Sequence, residues 1–125
     1  MHIILAMHGI MEIEAWMRQL RKGAAEFAVL ALLEAKPLYG TLVLSRLSSY
    51  EGLGISESSI YPLLNRLERS GRLVSDWRMD PGASHPRKYY SLSETGAKAL
   101  MGMRPIWSNF RNAIDDITTL PERAA

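Results

Sequence analysis

The chain has 125 residues, 47% of them hydrophobic, with a formal net charge of +2 and no cysteine. That length suits one domain with a small core, and the missing cysteines exclude disulfides, thiolate metal sites and thiol catalysis. So small a net charge announces no partner by itself, and the placement of charge carries more information than its sum.

Residues 1–10 are apolar but lack a basic leader and are too short to span a bilayer. They read as a disordered start, or translation begins at Met7 or Met11. No other apolar run approaches membrane length, and a reducing cytoplasm is the expected compartment. Ile13, Trp16, Met17 and Leu20 then fall at helical spacing, with Glu12 and Glu14 early and Arg18, Arg21 and Lys22 late, the order a helix dipole favours. Gly23 is predicted to close this helix. Residues 24–35 are apolar almost all round, as in a buried central helix, and Lys36-Pro37 breaks it. Leu42, Leu44 and Leu47 mark another helix over residues 41–50, and residues 51–54 form the turn that follows.

Residues 56–70 are the most informative stretch. Leu63, Leu64 and Leu67 form an apolar stripe, Gly71 ends the run, and Ser58, Ser59, Tyr61, Asn65, Arg66 and Arg69 remain for an outside partner. Pro62 lies in the second turn if Ser56 caps the helix, and in the first if Ser58 does. Residues 73–78 and 87–92 carry β-branched and aromatic residues, and residues 80–86 between them have turn chemistry, which predicts a β-hairpin. Ser93-Glu94-Thr95-Gly96 opens a last helix running towards Ile117, in which Met103, Trp107, Phe110, Ile114 and Ile117 step like a coiled-coil seam. Pro105 predicts a kink or break near Arg104, and Pro121 ends the helix.

A candidate recognition helix followed by a basic hairpin describes a winged helix-turn-helix, mainly α with a small β-hairpin. Residues 11–92 form that unit, residues 93–120 a terminal helix and residues 121–125 a tail. Serine, asparagine and tyrosine bond phosphate oxygens or base edges, and asparagine matches adenine. The candidate contacts to double-stranded DNA are therefore Ser58, Ser59, Tyr61, Asn65, Arg66 and Arg69, with Arg87 and Lys88 of the hairpin on phosphates. Arg21 and Lys22 are secondary candidates. The plainer readings are a solvated helix face, a Tyr61 ring packed under the helix, and edge-strand gatekeeper charges at Arg87 and Lys88. No nucleophile sits beside a base and no spacing suits a metal, so neither an enzyme nor a cofactor is expected. The rival function is a winged-helix module for protein contacts, with the basic hairpin incidental.

The chain resembles the PadR family, the phenolic-acid-responsive transcriptional regulators of bacteria. The resemblance rests on Leu20-Arg21-Lys22-Gly23, Val29-Leu30-Ala31-Leu32-Leu33, Tyr39-Gly40, Ile60-Tyr61-Pro62-Leu63-Leu64-Asn65-Arg66-Leu67-Glu68 and Arg87-Lys88-Tyr89-Tyr90-Ser91-Leu92-Ser93-Glu94-Thr95-Gly96. It implies a homodimeric winged-helix repressor, dimerised through its first and last helices, that releases DNA on binding a small molecule. The single terminal helix looks like the short subgroup, in which a tryptophan of that helix lines an aromatic-binding pore between subunits. Trp107 stands where that tryptophan would be, with Met103, Phe110 and Trp16 as companions around a small planar aromatic effector. Plain dimer core is the alternative for these aromatics. The chain departs from the family pattern at Thr41, where many members have tyrosine, and at Pro105 in the dimer helix.

Overall fold

No proline interrupts residues 2–33. The computed structural model, which describes residues 2–119, runs them as one helix, α1 (His2–Leu33), about 48 Å long at 1.5 Å per residue. Two expectations are corrected here. The helix does not close at Gly23, because an interior glycine costs only about 1 kcal/mol relative to alanine and the turns beyond it are anchored by the buried Val29, Leu30 and Leu33. Nor are residues 2–10 without structure. They prolong a helix already nucleated, which adds one residue at a time with no new nucleus.

Lys36-Pro37 ends α1 as expected, and the chain then forms β1 (Leu38–Tyr39), a strand too short to leave a periodic pattern. It is followed by α2 (Gly40–Ser48), a 3-10 turn at Glu51–Leu53 and α3 (Glu57–Arg69). Gly54, at φ +60, supplies the left-handed residue that redirects the chain into α3. Ser56 caps α3, its N–H bonded by the Ser59 hydroxyl at 3.2 Å, so Pro62 occupies the second turn. It has no N–H to offer the Ser58 carbonyl. At the far end, Arg72 N–H bonds the Leu67 carbonyl at 2.9 Å and Gly71 N–H bonds that of Glu68 at 3.0 Å. This is a Schellman closure with Gly71 at φ +82.

The predicted hairpin is present as β2 (Leu73–Arg78) and β3 (Arg87–Leu92), antiparallel from Leu73 opposite Leu92 to Arg78 opposite Arg87. β1 adds to the free side of β3, Leu38 opposite Tyr90, giving the order β1-β3-β2. Together these elements make the winged helix-turn-helix expected from the sequence.

The last helix, α4 (Glu94–Thr118), is capped by the Ser93 hydroxyl, which accepts the Gly96 N–H at 2.9 Å. It runs through Pro105 as one helix, so of the kink or break expected there the break does not occur. Contacts on both sides of the proline hold it along α1. Arg104 gives two N–H bonds to the Glu34 carboxylate at 2.9 and 2.5 Å, and the Trp107 ring lies 6.0 Å from that of Phe27. Pro121 and the tail lie outside the described residues. The core sits where all the elements meet. Val29, Leu30 and Leu33 of α1 pack with Val43 and Leu47 of α2, the Ile60, Leu63, Leu64 and Leu67 face of α3, and Leu38, Leu73, Tyr90 and Leu100.

Candidate nucleic-acid interface and aromatic cluster

The apolar spacing of α3 buries Ile60, Leu63, Leu64 and Leu67, which turns Ser58, Ser59, Pro62, Asn65, Arg66 and Arg69 out to solvent on the opposite side. The structure thus brings five of the predicted DNA-facing residues onto one exposed face. Two of them are committed locally. The Ser59 hydroxyl donates to the Ser56 carbonyl at 2.9 Å as part of the cap, and the Ser58 hydroxyl lies 2.9 Å from that of Ser56. Tyr61 is the exception. Its half-buried ring lies against Gly40, where an added Cβ would stand 3.0 Å from Tyr61 Cε1. The ring therefore packs on α2, which also explains why a glycine follows Tyr39.

On the wing, every predicted cation faces a carboxylate. Lys88 donates to Glu68 of α3 at 3.1 Å and lies 5.3 Å over the Tyr90 ring. The Ser75 hydroxyl of β2 donates to the same carboxylate. Arg87 stands 3.7 Å from Asp80 and 4.4 Å over the Tyr39 ring. Arg78 pairs with Asp76 at 2.8 Å, and the Tyr89 hydroxyl donates to Asp80 at 2.7 Å. Glu68 is the joint between α3 and the wing, and nothing in its sequence context marked it for that. Trp77 of β2, 67% exposed, was likewise missed. It stands opposite Lys88 on an open strand.

Hydrogen bonding from Ser75, and then from Lys88, holds the Glu68 carboxyl below the ordinary glutamate value of 4.5. A carboxylate with a depressed folded-state pKa stabilises the fold above its ordinary pKa, and that contribution is lost as pH falls through the folded value. Glu68→Gln is therefore expected to lower stability at pH 7 and to shrink the difference in stability between pH 7 and pH 3. Urea unfolding of both proteins at the two pH values checks this. An equal pH dependence would mean that the joint carries no weight.

The terminal helices hold the other predicted cluster. Trp107 touches Phe27 and lies 6.4 Å from Phe110, while Met103 packs on the rim of the core. Phe27 was not among the expected companions. Trp16 stands 61% exposed on α1 and, among the described residues, makes no ring contact with this cluster. Phe110, Ile114 and Ile117 on α4, and Ile13, Trp16 and Leu20 on α1, leave two apolar faces open. No helix among the described residues is long and apolar enough to cross a membrane.

Comparison with known proteins gives one answer. The model of a family described as the transcriptional regulator PadR-like family matches residues 29–101. The transcriptional regulator Rv3488 of Mycobacterium tuberculosis is 31% identical over 84 residues, 67% of this chain and 76% of that protein. Among solved structures, a PadR family transcriptional regulator from Eggerthella lenta shares 29% identity, covers 90% of this chain and 96% of its own, and gives a TM-score of 0.74. A Streptococcus transcriptional regulator, 30% identical, gives 0.71 over 80% of this chain and 97% of that one.

Proposed function

The chain belongs to the PadR-like family of transcriptional regulators, and from that premise we propose that it acts as a homodimeric repressor released from its operator by a small planar aromatic effector. In this reading each subunit sets the exposed face of α3 into a major groove, with Asn65 and Arg69 on base edges, Ser58, Ser59 and Arg66 beside them, and the wing along the flanking backbone with Arg87 at its edge. Two half-sites then lie about one helical turn, or a multiple of it, apart.

The observation that carries the reading is the division of α3 into a fully buried leucine–isoleucine face and an exposed polar face with Asn65 and Arg69 on it. The effector reading is supported by the Trp107, Phe110 and Phe27 rings beside the open apolar faces of α1 and α4. A planar guest stacked there changes how the terminal helices cross, and with them the separation of the two α3 helices. It does so only to the extent that it binds the two arrangements unequally.

Gel shifts on the DNA upstream of the chain's own gene test this, with a scrambled duplex as control. Asn65→Ala is expected to weaken binding to the upstream fragment by about 1–3 kcal/mol and to narrow its preference over the scrambled duplex. A planar aromatic added to the same assay should release wild-type protein and spare Trp107→Phe. Equal affinity for both duplexes would favour the protein-contact module.

A further inference from the structure

Two sets of cations flank α3 among the described residues. Those of the wing are each satisfied by a carboxylate of the same chain. Those on the other side of α3 are not. Arg18 and Lys22 of α1 and Arg66 of α3 line one cleft of about 650 Å³, and among the described residues their side chains have no hydrogen bond or ion pair within the protein. Arg21, beside them, gives one N–H to the Gly54 carbonyl and another to that of Met17.

Among the described residues Glu14 is the only carboxylate in the lining, against those four cations, and the floor is apolar, with Ile55, Ile60 and Leu63. Cations crowded over a low-dielectric wall repel one another and focus their field outward. An anion in front of them relieves that repulsion.

The position of the cleft matches the groove-facing surface proposed above. Ser58 and Ser59 are part of its lining. The tie from Arg21 to Gly54 fixes α1 to the turn that leads into α3, so the two cation-bearing helices present their charges as one surface. The cleft also escapes the faces proposed for dimerisation. At 100° per residue, Trp16, Leu20 and Phe27 fall within about 40° of one another on α1, whereas Glu14, Arg18, Arg21 and Ala25 centre roughly 150° away.

We propose that this cleft is a clamp for the DNA backbone: Arg18, Lys22 and Arg66 hold phosphates of the duplex strand next to the half-site, while Lys88 stays on Glu68 and braces the wing. The proposal rests on the DNA-binding reading and adds where its salt-dependent affinity comes from. Each phosphate neutralised on duplex DNA contributes about 0.9 to the slope of log affinity against log salt.

The test measures binding of a fluorescent upstream duplex to the full chain between 50 and 200 mM KCl, for wild type, Arg18→Gln/Lys22→Gln and Lys88→Gln. The substituted α1 positions are exposed, and circular dichroism confirms the fold of each variant. The slope should fall by about 3.6 for a dimer carrying the double substitution, with an equal loss on scrambled DNA, and should hardly change for Lys88→Gln. An unchanged slope in the double variant, or a drop of about 0.9 per subunit for Lys88→Gln, overturns the clamp alone. No DNA binding by wild type overturns the clamp and the proposed function together. A parallel calorimetric titration with 2-naphthoate covers the other occupant. Binding that depends on Arg18 and Lys22, beside an unchanged DNA slope, makes the cleft a small-anion site and defeats the clamp.

Discussion

Gly96→Ala is expected to lower the unfolding free energy by about 3 kcal/mol, although it adds a single methyl group to a helix. Gly96 is buried in the first turn of α4, and the space its Cβ would need is taken by the Arg72 carbonyl oxygen, with Leu92 Cδ1 2.8 Å away. The backbone oxygen cannot yield cheaply. The Arg72 carbonyl accepts the Ser93 N–H at 3.1 Å, and the Ser93 hydroxyl donates to the Gly71 carbonyl at 2.6 Å while it caps α4. One knot thus ties the end of α3, the start of β2 and the start of α4, and the methyl group has to open it. Gly102 supplies the control, since a Cβ there meets nothing within 4 Å. Gly102→Ala should raise stability by about 0.5–1 kcal/mol through helix propensity alone. Urea unfolding of the two variants reads both effects. A loss under about 1 kcal/mol for Gly96→Ala would show that α4 can shift off the turn at little cost.

The Gly96 knot also indicates which features a sequence discloses. Ser93-Glu94-Thr95-Gly96 announced a helix start through capping chemistry, which is local, and the helix begins there. That the glycine was required by a carbonyl two elements away was invisible, because the contact joins residues far apart in the chain. The same division runs through the rest. The α3 stripe and the hairpin followed from periodicity and turn residues, and both strands have the predicted bounds. Gly23 does not close its helix and Pro105 does not break its own for one reason. Their local costs are real, but packing of Val29, Leu30 and Leu33 on one side and the Glu34–Arg104 and Phe27–Trp107 contacts on the other outweigh them.

At the candidate interface the sequence marked the residue types and left their partners unknown. Lys88 read as a free cation, and only the fold reveals that Glu68, twenty residues earlier, accepts its charge. Arg18 read as a helix-dipole residue at the end of a short helix. Once α1 continues past Gly23, Arg18 lies mid-helix and faces the turn into α3 together with Arg21 and Lys22. Charge patterning along a sequence therefore identified a basic region, while the division into neutralised and unneutralised cations needed the tertiary structure.

Phe110→Glu/Ile114→Glu is expected to yield a folded monomer and to weaken binding to a two-half-site duplex by about 10²- to 10⁴-fold, the usual gain from joining two binding modules. Phe110 and Ile114 are 55% and 44% exposed in the single chain, so the fold does not depend on them, whereas Leu100 nearer the start of α4 is buried in the core. Contiguous apolar residues left open on a helix mark an association surface, and two carboxylates per chain placed there must lose their hydration if the surfaces meet. Each released subunit keeps its α3 face intact, so affinity for a duplex with a single half-site should stay within about twofold of wild type when both are compared as subunits. Sedimentation reads the mass and fluorescence anisotropy reads the two duplexes. A double variant that sediments as wild type does would place the contact elsewhere. A wild type that is itself monomeric would remove the fixed spacing between two recognition helices, and with it the mechanism by which a guest near Trp107 alters DNA binding.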